Sequence, residues 1–324
     1  MAQAAGVAPS TVSRSFTRPS RVNHHTRAHV LEIAERLGYR PNPAAQALGS
    51  GRTRTVGLVV PDITNPYFAG VIKGAERATA AAGLTLLLGD TQENPVQEAS
   101  MLTRLGRAVD GFVLSASRLP DDDLHAVADQ VPVVLINRAV PGVACVVSDY
   151  ETGTRRIVEH LADLGHRSLV FLGGPPESWS GRQRWEGLRS AATALGLVTT
   201  RFGPFQPTLA GGPAAADAAL AQGASAIVCH NDMLAIGVMR RLSERGVRVP
   251  EDVSVVGFDD IFGADFCHPP LTTLAELTAD AGARAVEALV RQIPRRGTDQ
   301  PARVLPTELV VRASTGVIAP RSAG

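Results

Sequence analysis

The chain has 324 residues, of which 44% are hydrophobic, 19% charged and 4% aromatic, and a formal net charge of +1. That length suffices for two or three domains with cores of their own, and the composition is globular rather than disordered or fibrous. No apolar run reaches the length of a membrane span, the N-terminus lacks the apolar stretch of a secretory signal, and three scattered cysteines (Cys145, Cys229, Cys267) suit neither a disulfide framework nor a zinc site. The expectation is a cytoplasmic protein without membrane contact.

Charge is unevenly distributed. Residues 1–54 carry eight arginines against two glutamates, a net +6, and leave −5 for the remainder. A basic arm on a mildly acidic body fits a polyanionic partner for the arm, although a merely solvated basic surface has the same composition. Within the arm a short helix is predicted to end at Gly6, a natural left-handed position. A second helix starts near Pro9, with Val12 and Phe16 one turn apart facing inward and Ser10, Thr11, Ser13 and Arg14 facing out. A third is capped by Asn23, stripes Val30, Ile33, Ala34 and Leu37 along one face, and stops at Gly38. Helix, glycine turn, helix is the helix-turn-helix pattern of DNA readers; on physics alone a small polar surface helix looks the same.

From Thr55 the pattern changes. Apolar runs at 55–60, 84–89, 111–116, 131–136, 168–173, 226–230 and 253–258 alternate with Ala-rich helices such as 69–82, 152–164 and 234–245. Continuous apolar strands between helices predict parallel sheets covered on both faces. Their number exceeds one ordinary open sheet, and a break near 148–153 suggests two lobes. The Gly/Pro-rich segment 197–215 reads as loops.

In order along the chain stand AGVAPSTVSR, TRAHVLEIAERLGYRPN, GRTRTVGLVVPDITNPYF, VDGFVLSAS, VPVVLINR, LADLGHRSLVFLGGP, HNDMLAIGVMRRL, VPEDVSVVGFDD and PPLTTL. Together these strings closely resemble the lactose-repressor (LacI/GalR) family over nearly the whole chain. The resemblance implies a small all-α helix-turn-helix headpiece (1–41), a hinge helix and linker (42–54), and an α/β two-lobed core (55–324) similar to periplasmic binding proteins. Lobe 1 would span about 55–148 plus 276–306, and lobe 2 about 149–272 plus 307–320. It implies a homodimeric repressor of double-stranded operator DNA controlled by a small effector, a sugar or sugar derivative. Pro9, Ser10, Thr11, Ser13 and Arg14 would lie on the recognition helix. Asn42, Ala45, Gln46 and Leu48 would belong to the hinge, with Leu48 wedged into the minor groove. An apolar wedge there makes physical sense, because opening a base step bends the duplex onto more protein surface. Family members carry several residues before the position of Met1, so a truncated first helix is expected. Ala8 stands where a capping serine is usual.

Ligands of open parallel sheets bind at the carboxyl ends of strands. There the chain places Asn65, Tyr67 and Phe68, Ser115 and Ser117, Asn137 and Arg138, Trp179, Ser180 and Arg184, Asn231 and Asp232, and Asp259 and Asp260. Carboxylates, amides, guanidinium and aromatic plates are what a polyhydroxylated ring needs. By the resemblance, Arg184, Asn231 and Asp259 match effector contacts and Phe205 a stacking aromatic. Asn137 replaces a more usual Asp, Pro204 an Asp, and Tyr150 an Asn. Glu276 joins the expected effector set. Blander readings stand beside these. Asp232 and Asp260 also read as helix N-caps, Trp179 as a loop anchor or an interface residue, and His160 and His166 as surface residues at a helix end.

Two other functions share this pattern. A sugar-binding protein of the same core without a DNA role is disfavoured by the basic arm and the missing signal. A dinucleotide enzyme is disfavoured because the first strand runs into PDITNP, with no GxGxxG, Walker, GxSxG or zinc spacing anywhere. No catalytic residue, metal or cofactor is therefore expected.

Overall fold

The computed structural model describes residues 1–17, 19–39, 52–294 and 302–318. At the N-terminus the expected first helix is a single turn. The Ala5 amide donates to the Met1 carbonyl (3.0 Å), the Val7 amide to that of Ala2 (3.2 Å), and Gly6 takes φ +60°. Five residues cannot repay the cost of nucleating a longer helix. Helix α1 (Pro9–Thr17) and helix α2 (His24–Arg36) follow, the latter capped by Asn23, whose side-chain oxygen accepts the His25 amide at 2.9 Å. Ala5, Val12, Val30 and Ile33 make a small core closed by Met1, Ala2, Val7 and Phe16. Leu37 does not join the apolar stripe as expected. It is the residue that ends α2, where the chain turns away at Gly38 (φ +60°), and it stays 52% exposed.

The core contains two six-stranded sheets. In chain order the strands and helices are β1 (Thr55–Val60), α3 (Pro66–Ala81), β2 (Thr85–Asp90), α4 (Pro95–Leu105), β3 (Gly111–Ser115), α5 (Asp121–Gln130), β4 (Val133–Ile136) and β5 (Ala144–Ser148). Then come α6 (Tyr150–Asp163), β6 (Ser168–Leu172), α7 (Trp179–Ala194), β7 (Val198–Phe202), α8 (Gly212–Ala221), β8 (Ala226–Cys229), α9 (Asp232–Glu244), β9 (Ser254–Asp259) and β10 (Thr272–Glu276). The chain finishes with α10 (Thr278–Gln292), β11 (Arg303–Leu305) and β12 (Thr307–Val310). The first sheet runs β2-β1-β3-β4-β5-β11 and the second β7-β6-β8-β9-β10-β12, and only the β10–β12 pair is antiparallel. The chain thus passes between lobes after β5, after β10 and between β11 and β12. Strand 272–276 belongs to the second sheet, so lobe 2 extends past the expected limit of about 272 to Glu276, and the chain returns to the first lobe from there.

The apolar runs inside each sheet become strands buried on both faces: every residue of β3, β4, β8 and β9 is buried. The run at 84–89 does not: β2 is a sheet edge and is mostly half-buried or exposed. The reading of 197–215 as loops fails at both ends, where β7 and the start of α8 lie. β7 (VTTRF) is a sheet edge with exposed and half-buried residues, so it lacks the apolar run that marks the inner strands. Helices α3 and α10 cover lobe 1 and cross at backbone contact. A Cβ on Gly74 would overlap the Ala279 carbonyl, and one on Gly282 the Val71 carbonyl.

Candidate functional site

Helix α1 presents Pro9, Ser10, Ser13 and Arg14 to solvent, with Thr11 half-buried. Its inner face is Val12 and Ser15; the Ser15 hydroxyl donates to the Thr11 carbonyl at 2.8 Å, which frees no polar group toward the core. Arg27 Nε reaches the Ser15 carbonyl at 3.3 Å and ties α2 across the end of α1. The expected hinge positions Asn42, Ala45, Gln46 and Leu48 lie outside the described residues.

Between the lobes lies a narrow cleft of about 40 Å³, open to solvent, at the carboxyl ends of both sheets. Its floor is built on Arg184 of α7, 4% exposed. The guanidinium donates to Asp259 Oδ1 (2.8 Å), Glu276 Oε1 (2.7 Å), the His230 carbonyl (2.6 Å) and the Tyr150 hydroxyl (3.3 Å). Asp259 and Glu276 end the neighbouring strands β9 and β10, whose register pairs Ala275 with Asp259. Glu276 faces both lobes. Its Oε2 accepts Ser148 Oγ (2.7 Å), Asn137 Nδ2 (2.9 Å) and the Tyr67 hydroxyl (3.2 Å), all from lobe 1. One carboxylate therefore clasps the lobes together at the back of the cleft.

Electrostatics divide the two acids. Burial raises the Asp259 carboxyl well above the usual carboxylate range; Arg184 opposes that rise and Glu276 adds to it. Glu276 lies below its usual value because Arg184 and the hydrogen bonds from Ser148 and Asn137 outweigh its burial. Burial, followed by the charges of Arg184 and Arg118, holds His230 well below the usual imidazole value, so its ring is neutral. The backbone is strained at the same place. Asp259 sits at φ +109°, Asp260 at +53°, Asn137 at +50° and Glu93 at +58°. Each such position costs on the order of 1–3 kcal/mol and gathers at ligand sites when the surrounding fold imposes it.

Of the expected effector residues, Tyr67, Phe68, Asn137, Ser180, Arg184, Asn231 and Asp259 line this cleft together. Phe205 stands farther out, in the wider mouth. Three others are not on the lining. Ser117 is buried and accepts the Leu119 amide at 3.2 Å, Glu276 lies behind Arg184, and Trp179 packs against the lobe 1 core with its ring 6.4 Å from that of Tyr150. The structure adds Glu93, Arg118, Pro207 and His230. The signal for Arg118 was present in the sequence, beside Ser117 at the end of β3. His230 gave none, because a histidine closing an apolar run reads as core. Its ring fits only where Gly174 and Gly181 leave room, since a Cβ on either would crowd it.

Three expectations are corrected. Asp232 does not cap α9: Asn231 does, its Oδ1 accepting the Leu234 amide at 3.0 Å. Asp232 is instead fully buried and accepts Thr273 Oγ1 (2.6 Å) and the Ile261 amide (3.0 Å), with its carboxylate against Gly257. Asp260 caps no helix and pairs with Arg312 at 2.7 Å. His166 is buried rather than on the surface, bridging Ser225, Ser254 and the Gly316 carbonyl, whereas His160 is half-buried against Thr315. Among the described residues no group of three or more His, Cys, Asp or Glu side chains is placed to hold a metal, and no helix is long and apolar enough to cross a membrane.

Comparison with known proteins gives matching results at both ends of the chain. Residues 1–42 match the model of bacterial regulatory proteins of the lacI family, and residues 158–315 that of a periplasmic binding protein-like domain. The HTH-type transcriptional repressor CytR of Escherichia coli K12 is 32% identical over 321 residues, covering 96% of this chain and 94% of that protein. Among solved structures, a lac repressor dimer bound to operator and the anti-inducer ONPF superposes with a TM-score of 0.86 at 27% identity, covering 97% of both chains. A complex of the transcriptional regulator CelR with cellobiose gives 0.73 at 32% identity, covering 97% of this chain and 98% of that one.

Proposed function

We propose that this chain, which belongs to the lacI family of bacterial regulatory proteins, represses transcription by binding operator DNA as a homodimer and is controlled by a sugar or sugar derivative in the inter-lobe cleft. The observation that carries this reading is the conjunction, on one chain, of a helix-turn-helix with an outward polar face and a cleft whose buried Arg184–Asp259–Glu276 cluster joins both lobes. In this reading residues 1–41 read DNA, 42–54 form hinge and linker, and 55–324 bind effector and dimerise. Pro9, Ser10, Thr11, Ser13 and Arg14 meet the major groove, and Asn42, Ala45, Gln46 and Leu48 the minor groove.

Effector hydroxyls bond Asp259, Asn231, Asn137 and Arg184, with Tyr67 and Phe68 beneath and Ser180 at the edge. Glu276 holds the lobes at the angle this arrangement sets. Trp179 acts through its contact across the lobes and Ser117 by supporting the loop of Arg118. A change of lobe angle in a dimer alters the spacing of two headpieces, which a two-fold operator reads directly. The chain is not an enzyme, carries no cofactor and works in the cytoplasm. A sugar-binding protein without a DNA role would have no use for residues 1–42.

The test is selection of DNA fragments from the source genome by the full chain, with sedimentation on the same material. The reading predicts enrichment of a pseudo-palindromic site and a dimer at micromolar concentration. Uniform retention of all fragments by a monomer would contradict it.

A further inference from the structure

The cleft continues beyond the Arg184 floor. Glu93 and Pro207 line both the inner cleft and an outer, open chamber of about 630 Å³. On the lobe 2 wall of that chamber Phe205, Pro175, Pro204 and Pro207 give apolar surface beside the polar Gln206 and Thr208. The lobe 1 wall carries three carboxylates, Asp62, Asp90 and Glu93, and no basic residue lines the chamber. One oxygen of each carboxylate is occupied. Asp62 Oδ1 accepts the Thr64 amide (2.8 Å) and hydroxyl (2.6 Å), Asp90 Oδ1 the Gln92 amide (3.1 Å), and Glu93 Oε2 the Arg118 Nε (2.7 Å). The second oxygen of each accepts no hydrogen bond from the described residues. Where the two spaces meet, Arg118 is only 7% exposed, and its Nη1 is buried without a partner. A buried, unsatisfied guanidinium N–H is rare and points to a ligand acceptor.

We propose that the effector is an uncharged disaccharide or longer glycoside, with one ring in the inner cleft, its linking oxygen near Arg118, and a second ring in the outer chamber. This rests on the reading of the cleft as a sugar site. A pyranose has an apolar face for Phe205 and the prolines and a rim of hydroxyl donors for three free carboxylate oxygens, so both walls are used. A nucleobase satisfies them less well, because cytosine or adenine offers one exocyclic amino donor beside acceptor ring nitrogens, against the several hydroxyl donors of a sugar ring. A sugar phosphate brings negative charge to a wall that has no cation.

Calorimetric titration of the full chain with matched pairs tests this: glucose against cellobiose and maltose, galactose against lactose, xylose against xylobiose. Cytidine, adenosine and glucose 6-phosphate complete the panel. The expected result is that a disaccharide binds at least about tenfold tighter than its own monosaccharide. The double variant Asp62→Asn/Asp90→Asn, which keeps the Oδ1 acceptors that shape the two turns, should remove most of that advantage and leave the monosaccharide affinity unchanged. A monosaccharide that binds as tightly as any disaccharide overturns the two-ring inference alone. So does a preferred nucleoside or phosphate, or a double variant that weakens both ring lengths equally. If no ligand of the panel binds, the sugar-effector reading falls and takes this inference with it.

Discussion

Replacing Asp259 by alanine separates effector binding from folding. Arg184 loses its 2.8 Å contact to Asp259 but keeps Glu276 Oε1 at 2.7 Å and the His230 carbonyl at 2.6 Å. Its charge is therefore not orphaned, and the cost to folding is about 1–3 kcal/mol rather than the roughly 3–5 kcal/mol of an isolated buried charge. The effector loses more in relative terms. A carboxyl group that bonds two ligand hydroxyls contributes about 1 kcal/mol per bond when neutral and up to about 3 when ionised, so affinity should fall at least about 30-fold. Operator affinity without effector should stay within about threefold, because Asp259 lies in a lobe that does not touch DNA in the proposed arrangement. The companion Asp259→Asn suits the left-handed backbone at φ +109° better than alanine, and controls for local strain. Thermal shift and calorimetry with the effector, and fluorescence anisotropy on operator DNA, read the three quantities. An unaltered effector-induced thermal shift in Asp259→Ala would refute the assignment of the cleft.

Three further outcomes are expected. Burial raises Asp232 to about 7, above its value in the unfolded chain, so its contribution to stability is fully present below about pH 4 and is lost as pH rises through about 7. Asp232→Asn should flatten that part of the stability–pH curve measured by urea unfolding, and a parallel curve in the variant would show that Asp232 does not titrate there. Gly74→Ala gains about 1 kcal/mol of helix propensity but drives a methyl into the Ala279 backbone carbonyl, so the melting temperature should fall; a rise would mean that α3 and α10 are not at contact. Arg14→Ala should weaken operator binding and lower the salt slope by about one if Arg14 meets a phosphate, whereas an unchanged slope removes it from the interface.

Much of this architecture was legible because buried parallel strands need uninterrupted apolar runs, and β1, β3, β4, β6, β8 and β9 have them. β7 was not legible, since an edge strand tolerates Thr and Arg. β10 and β12 were hidden because TTLAE and TELV put polar residues at the lobe junction, where Thr272, Thr273 and Glu276 are buried with hydrogen-bond partners. In the site, strand-end positions led to Arg184, Asn231 and Asp259 without a structure. Glu276 came from the resemblance. Its role as a clasp depends on Tyr67, Asn137 and Ser148, more than 120 residues away, and only folding brings them together. Asp232 was misread for a related reason. A lone Asp at a helix start is a cap by local statistics, and only the approach of Thr273 and the Ile261 amide turns it inward.

In the proposed function one chain couples sugar binding to DNA binding, and linkage makes that coupling measurable from both sides. Effector affinity should be titrated with and without saturating operator DNA, and operator affinity with and without saturating effector, at one salt concentration. The same factor is expected in both directions, on the order of 5–150-fold as for typical allosteric coupling. Two independent affinities, each indifferent to the other ligand, would contradict it.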